Sequence, residues 1–430
     1  MSNVLVVGSG GREHAFAWKL TRDNHVDHVY TAPGNGGTSN NLPLKHTDFF
    51  GLASFASHER CLTLVGPEQP LAEGIVNTFT NQNLTIVGPN KEAAILEASK
   101  AWSKTFMEKH GIKTAPFRIF EDRQRALEYV DAQDSPLVVK ADGLAAGKGV
   151  FVCSSKTETR SAIDRLMLKN ELGSAGHRIV IEELLKGEEA SFIVLSDGRN
   201  YKQFATSQDH KRLLNDDLGP NTGGMGAYSP ARVIDETLNE TIVERVIKKT
   251  LDGMRSEGNP FVGFLYAGLM IVDDVPYVLE FNVRSGDPET QPIIMRLKSD
   301  LYPYLEAAAS GTLDELPDLE WRTEPAVCIV MSTAGYPGMY EKGRLIAGLD
   351  SPSPPQVQVF HAGTERTDKG FVTSGGRVLG ITALGSDFSQ ATINAYHVAR
   401  KISWKGCYYR TDIAKKALGP KPLTKIPNRG

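Results

Sequence analysis

Two lysines and three glycines stand between apolar runs in "VVKADGLAAGKGVFV", residues 138–152. Such a composition can hold an anion of several charges, with backbone N–H groups and ammonium groups facing its oxygens. A Walker A loop places four residues between its glycines and follows its Lys with Ser or Thr. Here three residues separate Gly143 from Gly147, and Lys148 is followed by Gly149. The spacing fails, and the hydroxyl that would hold magnesium is absent. What remains is Lys140 at the end of one strand, a glycine turn, and Lys148 entering the next strand. That β-turn-β hairpin can fold over a triphosphate; the competing reading is a mobile surface hairpin with solvated lysines.

A second chemical signal lies in "YVLEFNVRSGDPETQ", residues 277–291. Strand alternation predicts Leu279, Phe281 and Val283 on one face, with Glu280, Asn282 and Arg284 on the other. A carboxylate and an amide oxygen two residues apart make a hard oxygen site suited to Mg²⁺ (or Mn²⁺), which takes few protein ligands and completes its shell from phosphate. The alternative is an exposed polar strand face, although the flanking residues are apolar and the turn after it gathers Arg284, Asp287 and Glu289. In "IVIEELLKGEEAS" (179–191) a strand runs into acidic residues whose backbone and carboxylates can meet a base and a ribose; the competing reading is a solvated acidic face. The long segment "SQDHKRLLNDDLGPNTGGMGAYSP" (207–230) is a glycine-rich loop of a length that is either functional or disordered. His210 within it has no nucleophile at a recognisable spacing.

These residues need elements to position them. The first hundred residues alternate short strands ("NVLVVG", "HVYTAP", "CLTLVG", "LTIVGP") with helical patterns, including "REHAFAWKL" and "LAEGIVNTFTNQ". Alternation of this kind predicts a mostly parallel sheet with helices on both faces, whose ligands bind at the carboxyl ends of the strands. Those ends read "GSGG", "APGNGG", "GPEQP" and "GPN". The dinucleotide pattern fails, because Glu13 stands at its last glycine and no acidic residue closes the second strand; this excludes a dehydrogenase. A single phosphate remains compatible, at Gly10 with Asn35 facing the same crevice; the competing reading is tight strand–helix packing without a ligand. "GFLYAGLMIV" and "YVLEFNV" are two strands joined by a short turn, and from "AVCIVMS" onward a small α+β unit follows. The tail "GPKPLTKIPNRG" reads as poorly ordered over its last few residues.

The chain has 430 residues, 40% apolar and 23% charged, with a net charge of −3. It is long enough for several domains and lacks the basic excess of a nucleic-acid binder. Cys61, Cys153, Cys328 and Cys407 form no CxxC pair and predict free thiols in a reducing compartment. No apolar run approaches membrane-spanning length, and the N-terminus does not read as a signal peptide. A cytoplasmic protein is expected.

Taken in order, "GSGGREHA", "APGNGG", "GPEQPL", "KADGLAAGKGV", "EELLKGEEAS", "DHKR", "GPNTGGMGAYSP", "LYAGLM", "LEFNVRSGDPETQ", "VFHAGT" and "TSGGRVL" resemble the glycinamide ribonucleotide synthetase family of the ATP-grasp superfamily. The resemblance covers essentially the whole chain. It implies a Rossmann-like N-terminal domain (1–102), an ATP-grasp core (103–325) with a lid at about 120–192, and a C-terminal α+β domain (326–430). It implies ATP-dependent ligation of glycine to 5-phosphoribosylamine through glycyl phosphate, with no enzyme nucleophile. By the family pattern Lys104 and Lys140 hold the α- and β-phosphates, covered by Gly143, Gly147, Lys148 and Gly149. Glu182, Glu183 and Leu185 line the adenine, Glu189 binds the ribose, and Glu280 and Asn282 carry the metal. Gly10, Asn35, Gly36 and Glu68 meet phosphoribosylamine. Asp209, Arg284 and Asp287 are the candidate catalytic residues orienting glycine and amine, with Lys211, Gly223, Gly224 and Gly286 beside them. The family often reads Ala-Arg-Phe-Gly-Asp after the metal Asn, where this chain has Val283-Arg284-Ser285-Gly286-Asp287. The implied partners are small molecules, with neither nucleic acid nor membrane, and the expected state is a monofunctional monomer.

Overall fold

A computed structural model describes residues 2–145 and 148–419. Gly147 and the tail beyond Gly419 lie outside the described residues. The N-terminal sheet is fully parallel, in the order Val26–Pro33, Ser2–Gly8, Cys61–Val65, Ile86–Val87. Val4, Leu5, Val6 and Val7 are all completely buried, because helices cover both faces. The helix expected over "LAEGIVNTFTNQ" is instead two short ones, Glu68–Glu73 and Ile75–Thr80, broken at Gly74. Gly74 sits at φ +96°, in the left-handed region that stops a helix.

The central sheet is antiparallel, in the order Tyr201–Gln203, Glu188–Asp197, Val262–Val272, Val275–Asn282. Asp273 and Asp274 join its last two strands with φ of +48° and +61°. Two consecutive positive φ values make the tight turn whose twist matches the flanking strands, and aspartate tolerates them.

The alternation expected for Leu279, Phe281 and Val283 does not hold. Gly268 pairs with Glu280 but Leu269 pairs with Val278, so Leu279 is the extra residue of a β-bulge. Val278, Phe281 and Val283 enter the core, and Leu279 leaves it. Glu280 and Asn282 still share a face, since both lie beyond the bulge.

Two larger sheets and two two-stranded ones, Arg212–Leu214 with Leu218–Asn221 and Thr364–Thr367 with Gly370–Thr373, make up the rest of the sheets among the described residues. A four-stranded antiparallel sheet (Phe117–Phe120, Ile179–Glu183, Leu137–Ala141, Val150–Cys153) carries the helices Arg123–Asp131 and Lys156–Ile163 and has its own apolar core. Val150–Cys153 is its edge strand, with Lys140 paired to Val150. The C-terminal sheet runs Gln208–Asp209, Gly226–Ser229, Ala326–Thr333, Arg377–Leu384, Val357–His361. Its first two strands come from the glycine-rich segment 207–230, so that loop is rooted in the C-terminal sheet.

Candidate active site

Lys104 sits on the helix Lys100–Lys109, Lys140 on the strand Leu137–Ala141, and Glu182 on the strand beside it. The Glu182 carboxylate bridges both ammonium groups. Lys104 Nζ also donates to Thr114 Oγ1 at 2.6 Å, and Lys140 Nζ to the carbonyl of Leu279 at 3.1 Å. The bulge thus has a use, because it accompanies the turning of that carbonyl toward Lys140. Burial opposes the charge on Glu182, but Lys140 and Lys104 outweigh it and hold its pKa down. Burial draws Lys104 to about 8, despite Glu182. Three charges over-balanced by one ammonium in a buried pocket form a site prepared for added negative charge. The Glu182 side chain is committed to the lysines, while Glu183 is exposed and Leu185 half-buried at the strand end.

The root of the hairpin is pinned by residues the sequence reading passed over. Asp142 Oδ1 accepts from Ser99 Oγ at 2.9 Å and from the Ala101 N–H at 2.6 Å, so a carboxylate from the lid caps the helix that carries Lys104. Its other oxygen takes Arg178 at 2.6 and 2.8 Å. A Cβ on Gly143 would come within 2.9 Å of Ala175, and one on Gly149 within 2.9 Å of Ala145, so the turn packs too closely for larger residues. Lys148 is exposed at its edge.

Across the cleft, strand register gathers one sheet face. Ser191 pairs with Gly268 and Gly268 with Glu280, while Tyr266 pairs with Asn282. Ser191, Tyr266, Glu280 and Asn282 therefore share a side of the sheet. An added Cβ at Gly268 would meet Tyr266 Cε1 at 3.3 Å and Glu280 Cγ at 3.4 Å, so the glycine lets these two side chains lie close together. Burial opposes ionisation of Glu280, but Lys211, Lys140, Lys100 and Arg284 outweigh it and hold its pKa down. An ionised carboxylate beside an amide oxygen fits Mg²⁺.

Arg284 follows this face and binds Glu68 at 3.2 Å and Glu97 at 3.0 Å. Glu97 also accepts the Val283 N–H at 2.7 Å. Burial lifts Glu97 to about 7, with Arg284 opposing and the charge of Glu68 adding. Glu68 goes the other way, to about 2, because Arg284 and Arg12 outweigh its burial. Asp209 is pushed up to about 8 by burial, with Glu289 and Glu189 reinforcing it against Lys211. Lys211 binds Glu189 at 2.7 Å.

The C-terminal sheet supplies contacts that no local pattern announced. Arg377 donates to the Asp287 carbonyl at 2.7 Å and pairs with its carboxylate at 3.2 Å. The same guanidinium reaches the Gly223 and Gly224 carbonyls, and Tyr336 OH accepts the Gly223 N–H at 2.9 Å. Asn35 Nδ2 donates to the His361 carbonyl at 2.8 Å, and the Gly36 N–H to that of Thr364 at 2.9 Å. Gly10 donates its N–H to Glu13, whose carboxylate fills the place of the missing third glycine. Gly286 lies under Glu289. His210 is not placed as a base: burial lowers it to about 4, and Nε2 accepts the Ala414 N–H.

Three family models match in succession: the N domain of phosphoribosylglycinamide synthetase at residues 2–97, its ATP-grasp (A) domain at 98–290 and its C domain at 326–416. The phosphoribosylamine–glycine ligase of Pseudomonas syringae pv. tomato is 49% identical over 423 residues, covering 97% of this chain and 98% of its own length. That of Pseudomonas aeruginosa is 50% identical over 422 residues, with 97% and 98% covered. The chain belongs to the phosphoribosylglycinamide synthetase family.

The crystal structure of the Thermotoga maritima phosphoribosylamine–glycine ligase superposes on this synthetase-family chain with a TM-score of 0.83 at 35% identity, covering 95% of this chain and 99% of that one. The biotin carboxylase domain of Hydrogenobacter thermophilus 2-oxoglutarate carboxylase, 14% identical, superposes with a TM-score of 0.71 over 95% and 91% of the two chains. That likeness shows a common fold alone. The chain is an ATP-grasp ligase of purine biosynthesis.

Proposed function

We propose that this chain joins glycine to 5-phosphoribosylamine using ATP, releasing glycinamide ribonucleotide, ADP and phosphate in de novo purine biosynthesis. A glycine carboxylate oxygen attacks the γ-phosphorus and ADP leaves, giving glycyl phosphate. The amine of phosphoribosylamine then attacks the acyl carbon, phosphate leaves, and the amine loses a proton. The observation that carries this reading is the sheet face of Glu280 and Asn282 set among Lys211, Lys140, Lys100 and Arg284. It brings an anion-binding array and a metal-compatible oxygen pair to one place, as the approach of a carboxylate to a triphosphate requires.

In this reading Lys104 and Lys140 take phosphate oxygens, and Glu182 exchanges its share of their hydrogen bonds with the arriving nucleotide. Gly143–Gly149 and Lys148 close over the phosphates, Glu183 and Leu185 border the base, and Glu189 meets the ribose. Glu280 and Asn282 would hold Mg²⁺ or Mn²⁺, which when bound offsets phosphate charge. Arg284 orients the glycine carboxylate, with Asp209 and Asp287 beside it. The crevice of Gly10, Asn35, Gly36 and Glu68 receives phosphoribosylamine, and Lys211, Gly223, Gly224 and Gly286 line the space between. Residues 1–102, 103–325 and 326–430 act as three domains, with 120–192 as the lid. We further infer a cytoplasmic monomer without a nucleic-acid partner; among the described residues no helix is long and apolar enough to cross a membrane.

Phosphate release from Mg·ATP is measured with glycine and freshly made phosphoribosylamine, each omitted in turn. Release requiring both is expected, and ADP formation indifferent to both refutes the assignment. Glu280→Ala is expected to abolish turnover while leaving the circular dichroism spectrum intact; near-normal activity removes Glu280 from the metal site.

A further inference from the structure

A ligase that takes glycine must hold a zwitterion, so a cationic end needs a partner as much as the carboxylate does. Glu289 is 4% exposed, and one of its carboxylate oxygens, Oε1, accepts from Tyr266 OH at 3.0 Å and Ser191 Oγ at 3.3 Å. Ser191 and Tyr266 themselves lie 2.8 Å apart. The other oxygen, Oε2, accepts no hydrogen bond among the described residues and lies over Gly286, where an added Cβ would come within 2.5 Å of it. A largely buried carboxylate with one oxygen anchored by two hydroxyls and the other free of them presents an acceptor to whatever enters beside it.

Its surroundings say what would enter. The two hydroxyls that anchor Glu289 rise from the same sheet face as Glu280 and Asn282, by the strand register. Arg284 is within electrostatic reach of both Glu280 and Glu289, and Asp209 is within reach of Glu289. Arg284 and Glu289 thus offer a cation and an anion to the two ends of one small zwitterion. The absence of a side chain at Gly286 leaves Glu289 Oε2 clear on that side.

We propose that Glu289 is a specificity-determining residue whose free Oε2 accepts a hydrogen bond from the ammonium group of the amino-acid substrate, selecting glycine over simple carboxylates. The proposal rests on the ligase reading given above. The ammonium end of glycine does not react in the first step, so Glu289 acts on substrate choice.

The test compares glycine with glycolate, which replaces the ammonium by a hydroxyl, in the phosphate-release assay. Wild type and Glu289→Gln are measured at saturating Mg·ATP and phosphoribosylamine. Glu289→Gln is expected to raise KM for glycine by about 10- to 100-fold, the loss of a buried hydrogen bond between charged groups. The loss in kcat/KM on glycolate should be smaller by about tenfold or more, and KM for ATP should move little. Equal losses on the two substrates, or an unchanged KM for glycine, overturn the proposal while leaving the ligase assignment standing. No glycine dependence in the wild type overturns both. Should Glu289→Gln fail to fold, Tyr266→Phe loosens the same carboxylate without removing it, and a smaller narrowing of the glycine–glycolate ratio is expected; an unaltered ratio in Tyr266→Phe overturns the proposal.

Discussion

Replacing Asp142 by Ala tests whether one carboxylate joins the lid to the core. The side chain is 11% exposed and serves four donors from two units. Its contact with the Ala101 N–H is a helix cap delivered from another part of the chain, and losing a cap costs about 1 kcal/mol. Ser99 keeps its own cap on the Trp102 N–H at 3.1 Å, so that contribution survives. Arg178 is 41% exposed and can turn to water, so its pair with Asp142 is discounted to about 0.5–1 kcal/mol. Asp142→Ala should therefore destabilise by about 1.5–2 kcal/mol, read as a lower urea midpoint at unchanged slope. Hydrogen exchange should quicken first at the amides of residues 100–104. KM for ATP should rise, because Lys104 and Lys140 lose a common anchor. Asp142→Asn retains an acceptor for Ser99 and Ala101 and should cost about half as much. A midpoint within about 0.5 kcal/mol of wild type for Asp142→Ala, or an equal effect of Asn and Ala, would refute the reasoning.

Three more outcomes are expected. Lys148→Ala removes an exposed ammonium from the hairpin edge, so KM for ATP should rise severalfold while the melting temperature stays put; a shifted melt with unchanged KM would assign Lys148 to packing. His14 Nδ1 accepts the His361 N–H at 2.8 Å, and burial lowers the two imidazoles to about 3 and about 4. The unfolded chain binds these protons near pH 6.5, so stability is full above that value and falls by up to about 1.4 kcal/mol per pH unit per imidazole as pH drops toward 4; His14→Asn keeps an acceptor and should flatten that decline in urea midpoints measured from pH 7 to 4.5. Gly224→Ala combines φ of +110° with a Cβ 2.4 Å from Pro288 Cδ, and should destabilise by about 1–3 kcal/mol and depress kcat/KM together, as measured by urea melts and initial rates.

Much of the site was legible because its chemistry is local. Glu280 and Asn282 share a face by strand alternation, and Lys140 ends a strand, whatever packs around them. The Leu279 error came from the same rule: alternation has no memory of a bulge, which depends on the partner strand's register. Glu97, Asp142, Arg377 and Glu289 were missed or undervalued because each acts on residues far along the chain, 187, 41, 90 and 98 positions away in the contacts with Arg284, Ala101, Asp287 and Ser191.

By itself the sequence determined most kinds of element and the shared strand face of Glu280 and Asn282, since periodicity, turn chemistry and residue type act over a few positions. It also excluded a P-loop and a dinucleotide site, because both demand fixed local spacing. Only the tertiary structure decided which charges meet: that Glu182 answers to both lysines, that Asp142 caps a helix of another unit, and that the glycine-rich loop belongs to the C-terminal sheet. The physical reason is the range of the forces. Backbone preference is set within a turn or a strand, whereas a buried charge is stabilised by whichever partner the packing of distant segments brings within hydrogen-bonding distance.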